Sequence, residues 1–149
     1  MTQVDFYILP DESPGGRELF ACRLAEKIQG LKHRLYIHTA SEQQAEALDQ
    51  LLWTFSAGSF LPHARHPHQD AIESPILIGH GQEPPNGYDV LVNLAPEVPL
   101  FFSRFERVAE LVDNNVQVRQ QGRERFRFYK DRGYNVASHP VKTKGQRHE

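Results

Sequence analysis

The stretch Asp89-Val90-Leu91-Val92-Asn93-Leu94 decides the fold class, because it is almost wholly apolar and its length suits one buried strand. Other short stretches rich in β-forming residues indicate further strands. They are Val4-Asp5-Phe6-Tyr7-Ile8-Leu9, Leu35-Tyr36-Ile37-His38 and Ile76-Leu77-Ile78, with a final strand near residues 134–137.

Helical patterns lie between these strands. Gly30 is typical of the C-terminal cap of a helix, and Ser41 is typical of an N-terminal cap. With the spacing of apolar residues, they predict helices over residues 18–29, 42–53, 101–112 and 116–132, and a loop over residues 54–74. Strands that alternate with helices predict an α/β fold with a mostly parallel sheet covered on both faces.

The composition limits the classes of protein that need to be considered. The chain has 149 residues, which suits one domain over residues 1–141 followed by a polar tail, 142–149, that frays. Its net charge of −2 argues against a broad surface for gripping nucleic acid. A single cysteine, Cys22, excludes an internal disulfide, and no apolar leader or membrane-spanning run is visible. We therefore expect a soluble cytoplasmic protein without a membrane partner.

Candidate sites for a cofactor or a metal are incomplete. The turn Pro10-Asp11-Glu12-Ser13-Pro14-Gly15-Gly16 lies where a doubly wound fold binds phosphate, but it lacks the phosphate-binding glycine motifs and its two acids would repel phosphate. A tight turn is the favoured interpretation. Three clustered histidines lack a further ligand for zinc and are interpreted as solvated surface residues: His63, His66 and His68. No cofactor and no metal are predicted.

Candidate catalytic residues also lack partners. Cys22, inside a predicted helix, is interpreted as a small buried hydrophobe rather than a nucleophile, because no activating base lies beside it. Asp89 opens a strand, where catalytic acids can lie, but no partner for it is identifiable. We therefore expect no enzymatic activity.

Three large aromatic residues fall at the end of a predicted helix and in the loop beyond it: Trp53, Phe55 and Phe60. In one interpretation they pack the loop onto the core. In the other they form an exposed anchor for a protein partner, because aromatic side chains bury much area at low entropic cost.

Residues 119–132 carry six basic side chains and two acidic ones. Arg119 and Arg123 are four residues apart and so share a face of the predicted helix. This segment is either the solvated outer face of an ordinary helix or an anion site for phosphate or an acidic peptide. Because Phe126 and other aromatic residues are interleaved with the arginines, direct binding of single-stranded nucleic acid is an alternative function.

Five stretches together resemble the chi subunits of bacterial DNA polymerase III. They keep the order and spacing of that family over nearly the whole chain, and they are specific in combination rather than singly. The stretches are Phe6-Tyr7-Ile8-Leu9, Leu48-Asp49-Gln50-Leu51-Leu52-Trp53, Ser59-Phe60-Leu61-Pro62-His63, Asp89-Val90-Leu91-Val92-Asn93-Leu94, and Arg123-Glu124-Arg125-Phe126-Arg127-Phe128-Tyr129-Lys130 with Gly133-Tyr134-Asn135.

The resemblance implies a single-domain, Rossmann-like, three-layer fold without nucleotide binding or catalysis. It implies an accessory subunit that joins the psi subunit of the clamp-loader assembly to the C-terminal tail of single-stranded DNA-binding protein. DNA would then be reached only through that tail, and a helicase is a candidate competitor for the psi-binding face.

The same resemblance implies which residues bind each partner. Trp53 and Phe60 stand where the family places aromatic residues used for psi-type partners. For the tail of the single-strand binder, the resemblance implies Val112, Arg119 and Arg123. Phe126 is added on chemical grounds, because the ring of such a tail needs an apolar slot. A known form of the family has lysine at position 119, so arginine here keeps the charge but offers a planar fork.

Overall fold

The computed structural model describes residues 1–13, 15–58, 60–67 and 74–142. In chain order, the elements are β1 (Gln3–Ile8), α1 (Gly16–Gly30), β2 (Leu35–His38), α2 (Glu42–Thr54), β3 (His63–Arg65), β4 (Ile76–Gly79), β5 (Val90–Asn93), β6 (Arg107–Val112), α3 (Val116–Asp131) and β7 (Asn135–Pro140). Parts of the predictions fall outside the described residues, namely those on Pro14, Ser59, His68 and the tail residues 143–149.

The strands form one sheet in the order β3-β4-β2-β5-β6-β1-β7, and every neighbouring pair is parallel. The prediction of a mostly parallel sheet is therefore confirmed. In register, Ile8 of β1 lies between Val112 of β6 and Pro140 of β7. This register places residues from three distant parts of the chain at one position on the carboxyl edge of the sheet.

Helices cover both faces of the sheet. On one face, Cys22 of α1 and Leu48 of α2 share a core with alternate strand residues such as Ile37. On the other face, Tyr129 of α3 shares a second core with the intervening strand residues such as Tyr36. The result is the three-layer, Rossmann-like α/β arrangement that the resemblance implied.

Two helices begin at side-chain caps. The Ser41 hydroxyl accepts a hydrogen bond from the backbone N–H of Gln44 at 3.1 Å, which confirms the predicted start of α2. The Asn115 side chain accepts one from the backbone N–H of Val118 at 3.0 Å at the start of α3. Each cap satisfies a helix N–H that would otherwise lack a partner.

The prediction of a helix over residues 101–112 is wrong. Phe102–Arg104 form a short 3-10 helix, and Arg107–Val112 form β6 in the interior of the sheet. Val108 points into one core and Ala109 into the other. An interior parallel strand is apolar on both faces, so its sequence can imitate helical spacing by chance.

The predicted loop over residues 54–74 contains a short strand, β3, which pairs with β4 at one edge of the sheet. Its sequence, His-Ala-Arg, carries no strand pattern, because three residues at an edge need little apolar surface. Among the described residues, α1, α2 and α3 are each too short or too polar to cross a membrane.

Candidate functional site

Two exposed rings lie side by side at the carboxyl-terminal end of α2. Trp53 is 48% exposed and Phe60, in the loop that follows, is 66% exposed. Their ring centroids are 5.6 Å apart. Phe55, by contrast, is partly buried and packs against the core under α1 and α2. Phe55 thus fits the interpretation of a loop packed onto the core, whereas Trp53 and Phe60 fit that of an exposed anchor. We call Trp53 and Phe60 the aromatic surface.

The imidazole of His63 lies beneath this surface. Its side chain has no exposed area, and its ring centroid is 4.4 Å from that of Trp53. Nδ1 lies 2.6 Å from the carbonyl oxygen of Leu61, and Nε2 lies 3.2 Å from that of Asp49. The interpretation of His63 as a solvated surface residue is therefore wrong, because the fold of the loop turns its ring inward onto α2.

The residues expected to bind the acidic tail come together on α3 and the strand beneath it. Arg119, Arg123 and Phe126 follow one another on one face of the helix, and Val112 ends β6 below it. Arg123 is exposed, whereas Arg119 and Phe126 are half-buried. We call Val112, Arg119, Arg123 and Phe126 the α3 surface.

The two arginines of the α3 surface make weak contacts with neighbouring groups of the chain. Arg119 donates from Nε to the carbonyl oxygen of Asp113 at 3.1 Å and from Nη2 to the exposed carboxylate of Asp11 at 3.3 Å. Arg123 donates to the side-chain oxygen of Gln120 at 3.1 Å, which is a neutral partner. Exposed contacts of this kind are worth at most about 1 kcal/mol, so a carboxylate ligand can replace them.

The apolar part of the α3 surface differs from the one that the sequence suggested. Val112 is only 6% exposed, because Gly122 of α3 sits directly on it, and a Cβ at Gly122 would lie 3.0 Å from a Val112 methyl. Half-buried Ile8 neighbours Val112 in register, and the Phe126 ring lies 5.2 Å from that of Phe6. Ile8 was missed because the pairing of β1 with β6 is a long-range contact.

Arg125 does not belong to the basic face of α3. Its Nε donates to Glu110 at 2.8 Å and its Nη1 to the carbonyl oxygen of Pro96 at 2.9 Å, and the side chain is only 4% exposed. The Tyr129 hydroxyl donates to Glu110 at 2.7 Å, and Asn93 donates to the same carboxylate at 3.1 Å. Burial and then the charge of Glu110 raise the pKa of Tyr129. This buried network fixes α3 to the sheet.

The outer face of α3 nevertheless remains basic. Four cationic side chains are exposed along its length and just past its end: Arg123, Arg127, Lys130 and Arg132. The guanidinium of Arg132 lies 3.6 Å from the ring centroid of Phe128, in a cation–π contact. The predicted positive face of this helix is therefore present, although Arg125 does not belong to it.

The turn before α1 is held by its own hydrogen bonds. The backbone N–H of Gly16 donates to the carbonyl oxygen of Ser13 at 2.9 Å, and the Ser13 hydroxyl donates to the carbonyl oxygen of Pro10 at 2.9 Å. Gly15 has φ of 80°, and a Cβ there would lie 2.6 Å from the Leu19 Cβ. These glycines therefore serve the start of the helix, which supports the interpretation as a tight turn.

The candidate catalytic groups are engaged in structural contacts. Cys22 is fully buried, and burial together with the charge of Glu18 raises its pKa to about 12, so the reactive thiolate is scarce near neutral pH. Asp89 accepts hydrogen bonds from the Arg34 backbone N–H at 2.8 Å and from His33 at 2.5 Å. In the part of the chain that the structure describes, no group of three or more His, Cys, Asp or Glu is placed to hold a metal ion.

The fold and these surfaces define a small Rossmann-like α/β protein with two candidate protein-binding surfaces. Among solved structures, the chain resembles T4 UvsW with a TM-score of 0.66 and 10% sequence identity over 94% of this chain and 41% of that chain. At that identity the likeness concerns the fold alone.

Sequence relatives are more specific. The family model described as DNA polymerase III chi subunit, HolC, matches residues 1–137. DNA polymerase III subunit chi of Pseudomonas aeruginosa is 44% identical over 93% of this chain and 96% of its own length. The Haemophilus influenzae subunit chi is 30% identical over 91% and 95%, and the Escherichia coli one is 27% identical over 91% and 96%. The chain belongs to the DNA polymerase III chi subunit family.

Proposed function

We propose that this chi-family chain is a non-catalytic accessory subunit that bridges two proteins during DNA replication. The aromatic surface binds the psi subunit of the clamp-loader assembly. The α3 surface binds the C-terminal tail of single-stranded DNA-binding protein, so that DNA is reached through that tail.

The observation that carries this proposal is the separation of the two surfaces. The aromatic surface lies at the end of α2, next to β3 at one edge of the sheet. The α3 surface lies on the opposite face, where α3 packs on β6 and β7 toward the other edge. Because the sheet stands between them, two partners can be bound at once without touching each other.

The aromatic surface has the chemistry of a protein-binding anchor. Trp53 and Phe60 are exposed large rings in contact with each other, and burying a large apolar side chain contributes about 1.5–3 kcal/mol. Tryptophan is among the residues that dominate binding energies at protein interfaces. An apolar segment of psi that covers both rings would therefore be held mainly by the hydrophobic effect.

The α3 surface suits a short acidic peptide that carries an apolar ring. Arg119 and Arg123 offer guanidinium groups whose present partners are weak, and guanidinium pairs with a carboxylate through two parallel hydrogen bonds. Phe126 and Ile8 offer half-buried apolar surface beside them. The ring of the tail would lie on this apolar strip while its carboxylates meet the arginines.

A crossed binding experiment tests both assignments. Purified wild-type chain, Trp53→Ala and Arg123→Glu are each titrated calorimetrically with psi and with a synthetic tail peptide of the single-strand binder. Trp53→Ala should lose psi and keep the peptide, and Arg123→Glu should lose the peptide and keep psi. Arg132→Glu, which reverses an exposed charge at the far end of α3, is the matched control and should keep both partners.

Two results would contradict the proposal. Unchanged peptide affinity in Arg123→Glu would remove the α3 assignment, and unchanged psi affinity in Trp53→Ala would remove the aromatic one. Salt-sensitive binding of bare single-stranded DNA by the wild-type chain alone would instead favour the alternative, a direct nucleic-acid binder that uses the exposed cations of α3.

Residues 1–141 form the functional domain, so removing residues 142–149 should leave both partners bound. The protein acts in the cytoplasm. A helicase that competes with psi would bind the aromatic surface, and the Trp53→Ala variant should then lose both competitors.

A further inference from the structure

His63 is buried in a position that links three parts of the aromatic surface. It opens β3, its ring lies against that of Trp53 at 4.4 Å, and its side chain has no exposed area. Through Nδ1 it reaches Leu61, which follows Phe60, and through Nε2 it reaches Asp49, one turn before Trp53. The imidazole therefore connects the loop that carries Phe60 to the helix that carries Trp53.

Both ring nitrogens of His63 face atoms that only accept hydrogen bonds. Nδ1 lies 2.6 Å from the carbonyl oxygen of Leu61. Nε2 lies 3.2 Å from the carbonyl oxygen of Asp49 and 3.4 Å from its carboxylate oxygen Oδ1. A neutral imidazole has one N–H, whereas the imidazolium has two. The geometry therefore calls for the positively charged ring.

The surroundings of the ring agree with a positive charge. From α2, the ionisable group facing it is the Asp49 carboxylate, which is opposite in sign, and the indole of Trp53 offers a face that attracts cations. From β4, the register partner of His63 is apolar Ile76. The nearby cation of β3, Arg65, is directed to Glu42 at 2.8 Å.

We propose that His63 is held as an imidazolium and is a positioning residue for the aromatic surface. Its two charge-assisted hydrogen bonds keep the Trp53 and Phe60 rings beside each other for psi. This inference deepens the proposed function, on which its binding part rests. A side chain that cannot donate to both acceptors leaves one of them without a donor, so the loop loosens from α2 and psi binds more weakly.

The charge on the ring can be measured without a partner. Nitrogen-15 NMR of the histidine side chains distinguishes a protonated ring nitrogen from a bare one, and both nitrogens of His63 should be protonated at neutral pH, where an unperturbed imidazole is mostly uncharged. Trp53 is the chain's only tryptophan, so tryptophan fluorescence reports on this site alone. An adjacent imidazolium quenches indole emission, so replacing His63 with an uncharged residue should raise the emission of Trp53.

Two variants separate the effect of charge from that of shape. His63→Gln keeps hydrogen-bond donors but cannot be charged, and His139→Gln removes a half-exposed histidine of β7, at the opposite edge of the sheet from β3. The first should raise the Trp53 emission and weaken psi binding about tenfold, the size of one charge-assisted hydrogen bond. The second should keep the wild-type emission and the wild-type affinity for psi.

Failure of this inference is distinguishable from failure of the proposed function. A bare His63 nitrogen at neutral pH, or a Trp53 emission that is unchanged in His63→Gln, would overturn the positioning role even if Trp53→Ala loses psi. Conversely, psi binding that ignores both Trp53→Ala and His63→Gln would overturn the proposed psi site. The NMR and fluorescence results would then still support an imidazolium beneath Trp53.

Discussion

The aromatic surface and the α3 surface are built on opposite chemistry within one small domain. At the end of α2, two exposed rings touch each other and one buried imidazole supports them. Along α3, guanidinium groups lie on the outside while a buried carboxylate, Glu110, fixes the helix to the sheet. The first surface depends on apolar area, and the second depends on charge.

With two surfaces of different chemistry, one domain can bind two partners without confusing them. Apolar contact is insensitive to salt, whereas exposed ion pairs are screened within about 8–10 Å at physiological ionic strength. An acidic peptide gains little binding free energy from the exposed rings, and an apolar segment gains little from the exposed arginines.

Removing Glu110 should damage the α3 surface far more than the aromatic one. Glu110→Ala leaves the Arg125 guanidinium buried without its carboxylate, and breaking a buried pair in this way costs about 3–5 kcal/mol. Urea unfolding should show that loss, and the tail-peptide affinity should fall with it. Glu124→Ala, an exposed acid on the same helix, should change the free energy of unfolding by less than about 0.5 kcal/mol. Equal stability of the two variants would show that the network does not fix α3.

The two exposed rings should act together on psi. Trp53→Ala should weaken psi binding by about 2 kcal/mol or more, as expected for an interface hot spot, and Phe60→Ala should have a smaller effect. Because the rings touch, the double variant should lose less than the sum of the single losses. Calorimetry on the four proteins measures this coupling. Strict additivity would mean that the two rings meet separate parts of the partner.

Salt should separate the two surfaces in the unaltered protein. Between roughly 0.05 M and 0.5 M salt, tail-peptide affinity should fall about tenfold, while psi affinity should change little. Arg123→Gln should flatten the salt dependence for the peptide, because it removes the more exposed of the two cations without removing its length. A matching salt dependence for psi would show that charge also drives binding at the aromatic surface.

The two helix caps should contribute equally to stability but differ in their effect on binding. Ser41→Ala removes the side-chain cap of α2 and Asn115→Ala that of α3, and each should reduce the free energy of unfolding by about 1 kcal/mol. Ser41 lies at the opposite end of α2 from Trp53, so psi affinity should change less than about twofold in Ser41→Ala. Asn115 lies one turn before Arg119, whose backbone N–H donates to the Asn115 carbonyl oxygen at 2.9 Å, so tail-peptide affinity should fall by more than that in Asn115→Ala. Unchanged peptide affinity in Asn115→Ala would show that this cap does not position Arg119.

Local signals in the sequence were sufficient for much of the fold. Ser41 marked the start of α2, and the apolar run at 89–94 marked a buried strand, because capping and strand formation depend on neighbouring residues. The same logic failed at β6. Val108 and Ala109 fill opposite cores there, and periodicity cannot distinguish a strand buried on two sides from a helix.

The candidate site, like the fold, could be predicted from the sequence only in part. Basic and aromatic residues were identifiable as clusters, but their exposure was not. Arg125 is basic in sequence and buried in the fold, where it pairs with Glu110 from a strand that was predicted to be helical. His63 was expected in solvent and instead lies under Trp53.

By itself, the sequence determined most of the strands and helices, the start of α2, the family resemblance and the presence of an aromatic and a basic cluster. These depend on residue type and short spacing. Only the tertiary structure decided that the aromatic surface and the α3 surface lie on opposite faces of one sheet, that Ile8 lies beside Val112, and that His63 supports Trp53. The physical reason is that strand order and register join residues far apart in the chain, and burial, charge pairing and exposure follow from those long-range contacts.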